Sequence, residues 1–266
     1  MPVVRRSRFL PSTVRATTGT DTFSTHRWGG FAVPLARATH LELLDRLGDR
    51  TPAPVLAGNL RDIRRANRWF GGTRAIRDEI APLARRKTAG PLAILDVATG
   101  SADIPVALVN WADREGHHLR LVATDLQPAV LAVARAAALP ARITVEQADA
   151  LSLPYPDDVF DVVILSLALH HFEPQDAERV LQEMGRVGRQ ALIVNDLERS
   201  RSGYLGAWLF AHLLTANRMT RNDAPLSVRR AYTRPEALAL AHAAGWHGAR
   251  VRSVVPCRYL LTGRPA

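Results

Sequence analysis

A chain of 266 residues with 47% apolar and 6% aromatic residues can bury a substantial core, which excludes a wholly disordered protein. Lys and Arg number 35 against 25 Asp and Glu, but the resulting charge of +10 is spread along the chain and singles out no polyanionic partner. The single cysteine, Cys257, excludes an intramolecular disulfide and a cysteine-built zinc site and fits a reducing, cytoplasmic compartment.

In chain order, residues 1–39 set Arg5, Arg6, Arg8, Arg15, Arg27 and Arg37 against Asp21 alone among many Ser and Thr. A basic, unstructured arm is expected, with an organelle transit peptide as the alternative reading of the same composition. Residues 40–90 carry a helical pattern broken at Gly71 and Gly72 and predict a helical cap. After Gly90-Pro91 short apolar runs predict strands at Leu92–Val97, Arg120–Asp125, Arg142–Val145, Phe160–Leu167 and Ala191–Val194. Helical stretches separate them, from Ile104 to Trp111, from Pro128 to Leu139 and from Asp176 to Val187. The tail adds a helix from Pro235 to Ala244 and strands near Val251–Val255 and Tyr259–Thr262. The longest apolar stretch, GYLGAWLFAHLL from Gly203, falls short of the ~20 residues of a membrane span and reads as a buried or lid helix. The alternation predicts an α/β fold over 91–266: a Rossmann-like, seven-stranded, mostly parallel sheet with helices on both faces, and a lid insertion at 200–232.

Ligands of open α/β sheets sit at the carboxyl ends of the strands. The first such end reads ILDVATGSADIP, where Gly100 lets a ligand approach the backbone. A dinucleotide site would want G-x-G-x-x-G here, and Asp103 would repel a pyrophosphate. Asp96 and Asp103 suit an ammonium and a sulfonium instead. Asp125, 29 positions after Asp96, ends the second strand where a carboxylate can take both ribose hydroxyls, and Asp149 with Ala150 ends the third where an adenine edge can be read. Those four groups together describe S-adenosylmethionine.

The ordered stretches LDVATGSADIP, VATDLQPAVLAVARAA, EQADALSLPYPDDVFDVVILSLALHHF and ALIVNDL resemble the class I S-adenosylmethionine-dependent methyltransferases, in the group of the ubiquinone and menaquinone biosynthesis enzymes. The resemblance implies a cofactor site of Asp96, Ala98, Thr99, Gly100, Asp103, Asp125, Leu126, Asp149, Ala150 and Ser166. Ala98 and Ala102 stand where the family commonly has glycine. The flanks NLRDIRRANRWFGGTRA and NDAPLSVRRAYTRPEAL resemble a bacterial subgroup acting on phenolic or polyketide-like small molecules. O-methylation of such an acceptor is therefore expected ahead of C-methylation of a quinone-like ring. An RNA methyltransferase and a cofactor-binding regulator without catalysis are the rival readings.

His170 and His171 follow the fourth strand, and either imidazole is a candidate base for a phenol, with Asp196 orienting a histidine or the acceptor. In an extended backbone their side chains would point to opposite faces, and the pairing with Phe172 favours His171. A magnesium site at Asn195 and Asp196 would need a carboxylate after the fourth strand, which is lacking before Glu173, so no metal is expected. Trp69, Phe70 and Trp208 are expected to line a greasy acceptor site, and Arg229 and Arg230 to anchor an acidic group on the acceptor. A small-molecule acceptor is the expected partner, nucleic acid and a membrane span are not expected, and a homodimer stays open.

Overall fold

The computed structural model describes residues 35–137 and 139–266. Strands β1 (Leu92–Val97), β2 (Leu119–Asp125), β3 (Ile143–Gln147), β4 (Phe160–Ser166), β5 (Gly188–Leu197), β6 (His247–Val254) and β7 (Arg258–Arg264) form a seven-stranded sheet in the order β3-β2-β1-β4-β5-β7-β6. β7 runs antiparallel to β5 and β6, and the other pairings are parallel. Strand order reverses between β1 and β4, so both strands end at the crevice where such sheets bind ligands.

The central strands are buried along their whole length because helices cover both faces. On β1, Leu95 and Val97 pack into the core beneath α6 (Pro174–Val187) and α9 (Arg234–Ala243), whereas Leu92 and Ile94 pack into the core beneath α3 (Gly72–Arg86) and α4 (Asp103–Glu115). Helix α5 (Pro128–Ala136) meets α2 (Ala53–Trp69) through Val130, Leu56 and Leu60. The cap begins with the short α1 (Leu43–Leu47), and the insertion after β5 forms α7 (Arg201–Leu213) and α8 (Arg218–Arg230). Ser200 caps α7 by accepting a hydrogen bond from the Gly203 N–H at 3.0 Å.

β5 and β6 both start before the predicted runs. β5 gains Gly188, Arg189 and Gln190, too polar for an apolar run, and β6 is an edge strand whose arginines face water. Of the arm expected over 1–39, residues 1–34 lie outside the described residues. The last part of that range is anchored: Ala38 is buried, and Arg37 binds the Arg230 and Phe172 carbonyls and Glu173.

The turn from β1 into α4 carries Ala98, Gly100 and Ala102 at φ of 53°, 58° and 55°. The two alanines hold the left-handed backbone that glycine adopts without strain, at a cost of about 1–2 kcal/mol each. The loop shape is thus retained without two of the expected glycines.

Candidate active site

The carboxyl ends of β1, β2 and β3 converge on a floor of buried acids. Asp96 accepts a hydrogen bond from the Thr99 hydroxyl at 2.6 Å, and its other oxygen is buried without a partner. Burial pushes its pKa up to about 7, against the Thr99 hydrogen bond, and the negative charges of Asp103 and Asp125 add to the rise. Asp103, opening α4, accepts from the Asn67 amide at 3.1 Å and the Ser101 hydroxyl at 3.2 Å, and burial raises its pKa too. Asp125 receives the backbone N–H groups of Gly100 and Gln127 at 3.0 and 3.1 Å, so it ties the first turn to the second strand. Burial raises its pKa, while those N–H groups and the nearby His171 ring oppose the rise. After β3, Asp149 accepts from the Leu151 N–H at 2.9 Å and Ala150 is buried, while Leu126 stays exposed beside Asp125. Ser166, ending β4, accepts from the Asn195 amide at 3.0 Å. Buried carboxyl groups therefore gather at the strand ends, with Arg64 near Asp103 and His171 near Asp125 as the neighbouring positive groups.

Beyond β4 the chain reverses at Leu167, at φ 53°, and forms a 3₁₀ turn over Leu169–His171. This corrects the expectation that the two histidines point to opposite faces: the turn brings their rings to 4.4 Å, inclined by 33°. His170 Nδ1 lies 2.7 Å from Asp196 Oδ1, and Asp196 Oδ2 accepts the His170 backbone N–H at 3.0 Å. Burial works against ionisation of Asp196, yet the His170 ring and the N–H groups hold its carboxyl below the usual range. His171 Nδ1 lies 2.9 Å from Asp45 Oδ2. Burial would lower the His171 pKa, but Glu42, Asp45 and Asp196 outweigh it and lift it to about 9. His171, the favoured base of the sequence reading, is therefore protonated at neutral pH. Glu42 is buried beside the pair, 3.5 Å from His170 Nε2.

Alongside lies a cavity of about 250 Å³. Ile63, Phe70, Leu167, Phe210 and Val228 give it apolar walls, and Glu42, His170, His171 and Arg258 bring polar groups to it. Phe70 and Phe210 meet edge to face with centroids 5.6 Å apart, joining the end of α2 to α7. Arg258 is fully buried; its Nη1 donates to Asn67 Oδ1 at 2.8 Å, its Nε has no partner, and burial lowers its pKa to about 10.

Residues 94–191 match a family model described as a methyltransferase domain. That stretch, less than half of the chain, is thus similar to methyltransferase domains. Over 120 residues it is 36% identical to a demethylmenaquinone methyltransferase of Thermus thermophilus, covering 44% of this chain and 51% of that protein. Over 138 residues it is 31% identical to a ubiquinone/menaquinone biosynthesis C-methyltransferase of Chromobacterium violaceum, covering 49% and 54%. The chain thus spans about half the length of these curated relatives. Its methyltransferase fold is similar to the CMeT domain of the citrinin polyketide synthase, with a TM-score of 0.56 at 14% identity over 73% of this chain and 52% of that one. No helix among the described residues is long and apolar enough to cross a membrane.

Three of the expectations for residues lining an acceptor site need correction. Trp69 is 56% exposed and only its neighbour Phe70 reaches the cavity. Trp208 is 42% exposed and stacks on His212, whereas Gly203, Ala207 and Phe210 form the inner face of α7. Arg229 is exposed, and Arg230 is wholly buried with its donors committed to the carbonyls of His170 at 3.2 Å, Thr39 at 3.3 Å, His40 at 2.8 Å and His171 at 2.7 Å. Neither arginine lines the cavity. Glu42, Asp45 and Arg258 were not singled out from the sequence, whereas Phe210 belongs to the apolar helix expected to form a lid. The one signal for the first two was a pair of carboxylates three residues apart at a helix start, which places them on one face. Because Arg230 holds both the histidine turn and the N-terminal cap, Arg230→Met should cost about 3–5 kcal/mol by stranding several buried carbonyls. Urea unfolding measures it, and a loss below 1 kcal/mol would show the carbonyls satisfied by other means.

Proposed function

We propose that this chain methylates a hydroxylated aromatic or polyketide-like small molecule on a ring carbon, using S-adenosylmethionine. The observation that carries this reading is the nearness of two unlike sites: an acidic floor at the strand ends, and a cavity with apolar walls that the histidine turn also lines, His171 acting on the charge of Asp125. In this assignment Asp96 and Asp103 hold the ammonium of the cofactor's methionine, with Ala98, Thr99 and Gly100 shaping the turn around it. Asp125 takes the ribose, and Asp149, Ala150 and Leu126 border the adenine. The unpartnered Asp96 oxygen fits this, since a buried carboxylate without a donor lacks what an ammonium supplies. When bound, the cofactor supplies an electrophilic methyl group for in-line displacement, so the protein's task is largely to orient the acceptor and exclude water.

Phe70 and Phe210 would confine a flat, apolar acceptor. Glu42, His170 and Arg258 would receive its oxygen atoms. Carbon is preferred over oxygen because the curated relatives are named for demethylmenaquinone methylation and for C-methylation. O-methylation, expected first from the sequence, uses the same acceptor ionised at the same hydroxyl. Incubation with methyl-labelled cofactor and a panel of hydroxylated naphthalenes and phenols should place the label on a ring carbon by NMR. Label on oxygen would move the assignment to O-methylation, and label entering RNA at a defined site would overturn the small-molecule reading.

The floor also predicts a pH dependence. An ammonium stabilises ionised Asp96, whose pKa lies near 7 in the free protein, so cofactor binding releases a proton below that pH. Affinity should rise about tenfold from pH 5.5 to pH 7, a window in which an α-amino group of pKa ~7.7–8.0 stays charged. Calorimetry should find this slope in the parent protein and a weaker, flatter affinity in Asp96→Asn. A flat profile in the parent protein would remove Asp96 from the ammonium site.

A further inference from the structure

Glu42, His170 and His171 each offer one ligand-type atom, and these atoms lie within 4.8 Å of one another. Both histidines have Nδ1 engaged by a carboxylate, Asp196 for His170 and Asp45 for His171, which makes Nε2 of each ring the nitrogen an ion would take, that of His171 in exchange for its proton. Glu42 is 3% exposed, lines the acceptor cavity, and has an Oε1 with no hydrogen-bond partner. That oxygen sits 3.5 Å from His170 Nε2, beyond a hydrogen bond of ordinary strength. We propose that Glu42, His170 and His171 bind a divalent transition-metal ion, such as zinc, at the polar end of the acceptor cavity.

Geometry and charge agree on this site. Ligands held about 2.0–2.1 Å from a tetrahedral ion lie roughly 3.3–3.4 Å apart, close to the Glu42–His170 separation of 3.5 Å, while the cluster's outer bound of 4.8 Å requires the remaining ligand to close in on the ion. Metal-bound histidines characteristically present their second nitrogen to a carboxylate, which fixes ring and tautomer, and both rings here have that partner. Glu42, Asp45 and Asp196 crowd negative charge around two imidazoles, and a dipositive ion neutralises it more compactly than scattered protons do. Two imidazoles and one carboxylate suit zinc, iron or cobalt and not magnesium, which prefers oxygen ligands.

This site differs from the magnesium site weighed in the sequence. Asn195 there donates to Ser166, and Asp196 is engaged behind His170. Its essential ligand is Glu42, at the start of α1, far from the strand motifs in sequence. Two protein ligands on one turn and a third from the cap leave the cavity side open for a fourth, as catalytic zinc sites do. An acceptor hydroxyl oxygen is the expected occupant of that position, a role that rests on the function proposed above, whereas metal binding itself does not.

The test is calorimetric titration of zinc into tag-free, chelator-treated protein without cofactor or acceptor, with cobalt(II) absorption as a second readout of coordination. One ion per chain should bind, with the visible bands of a four- or five-coordinate cobalt site. Glu42→Gln and His171→Gln should each weaken binding by at least 100-fold. Asp45→Asn, which touches only the outer nitrogen of His171, should weaken it about 10- to 100-fold. S-adenosylmethionine binding, measured on every variant, reports that each is folded. Absence of metal uptake in a parent protein that still binds S-adenosylmethionine would overturn the site. Uptake unchanged in folded Glu42→Gln and His171→Gln would also overturn it, by placing the ion elsewhere. Metal uptake without turnover of any acceptor would keep the site and remove the proposed function.

Discussion

The guanidinium of Arg230 is the tie on which the acceptor side of this structure depends. It is fully buried at the end of α8, yet its nearest carboxylate oxygen, on Glu173, is 3.9 Å away. Backbone carbonyls of Thr39, His40, His170 and His171 take its N–H groups instead. One side chain therefore fixes the histidine turn, helix α8 and the segment leading into α1 relative to one another. Arg37 repeats the device one layer outward, bonding to the Arg230 and Phe172 carbonyls and lying 4.6 Å above the Tyr232 ring. A buried guanidinium without these acceptors would be costly, so the turn, the lid and the cap are expected to order together.

That tie sets two chemically unlike surfaces next to each other. The parallel sheet ends in acids because each strand hands over to a helix at the same edge, where turn residues are polar and the sheet is open. The cap and lid contribute aromatic and aliphatic side chains, which dry the adjoining space. A desolvated site suits transfer of a methyl group from a cationic sulfonium, because fixed charges act more strongly there and water is kept from the reactive centre. The histidine turn stands at the junction: His171 lies close enough to Asp125 of the floor to influence its charge, and it also lines the cavity.

Much of the sheet was legible in the sequence. β1 and β4 stand out as apolar runs because burial on both faces leaves them no polar side, and Asp96, Asp125 and Asp149 follow at or just beyond the carboxyl ends of β1, β2 and β3. The acceptor side was less readable, for physical reasons. Helix α7 is apolar all round, so periodicity could not tell its inner face at Gly203, Ala207 and Phe210 from its outer face at Leu205, Trp208 and Leu213. The histidine pair followed a strand, and the positive φ at Leu167 that turns it was not foreseeable in a leucine. Arg230 and Arg258 look like surface residues in an arginine-rich chain, and only tertiary structure brings them carbonyls or buries them. Glu42 and Asp45 reach the histidines from some 125 residues away, a pairing no local pattern carries.

The central claim is that the acidic floor and the apolar cavity meet at the transferred methyl group. It is tested most directly by NMR of the protein with S-adenosylmethionine labelled with carbon-13 at that methyl, bound to chains with assigned side-chain resonances. The account predicts Overhauser contacts from the methyl to the Leu167 side chain and to a ring proton of His170 or His171. Contacts confined to residues away from the histidine turn, with the cofactor bound, would contradict it.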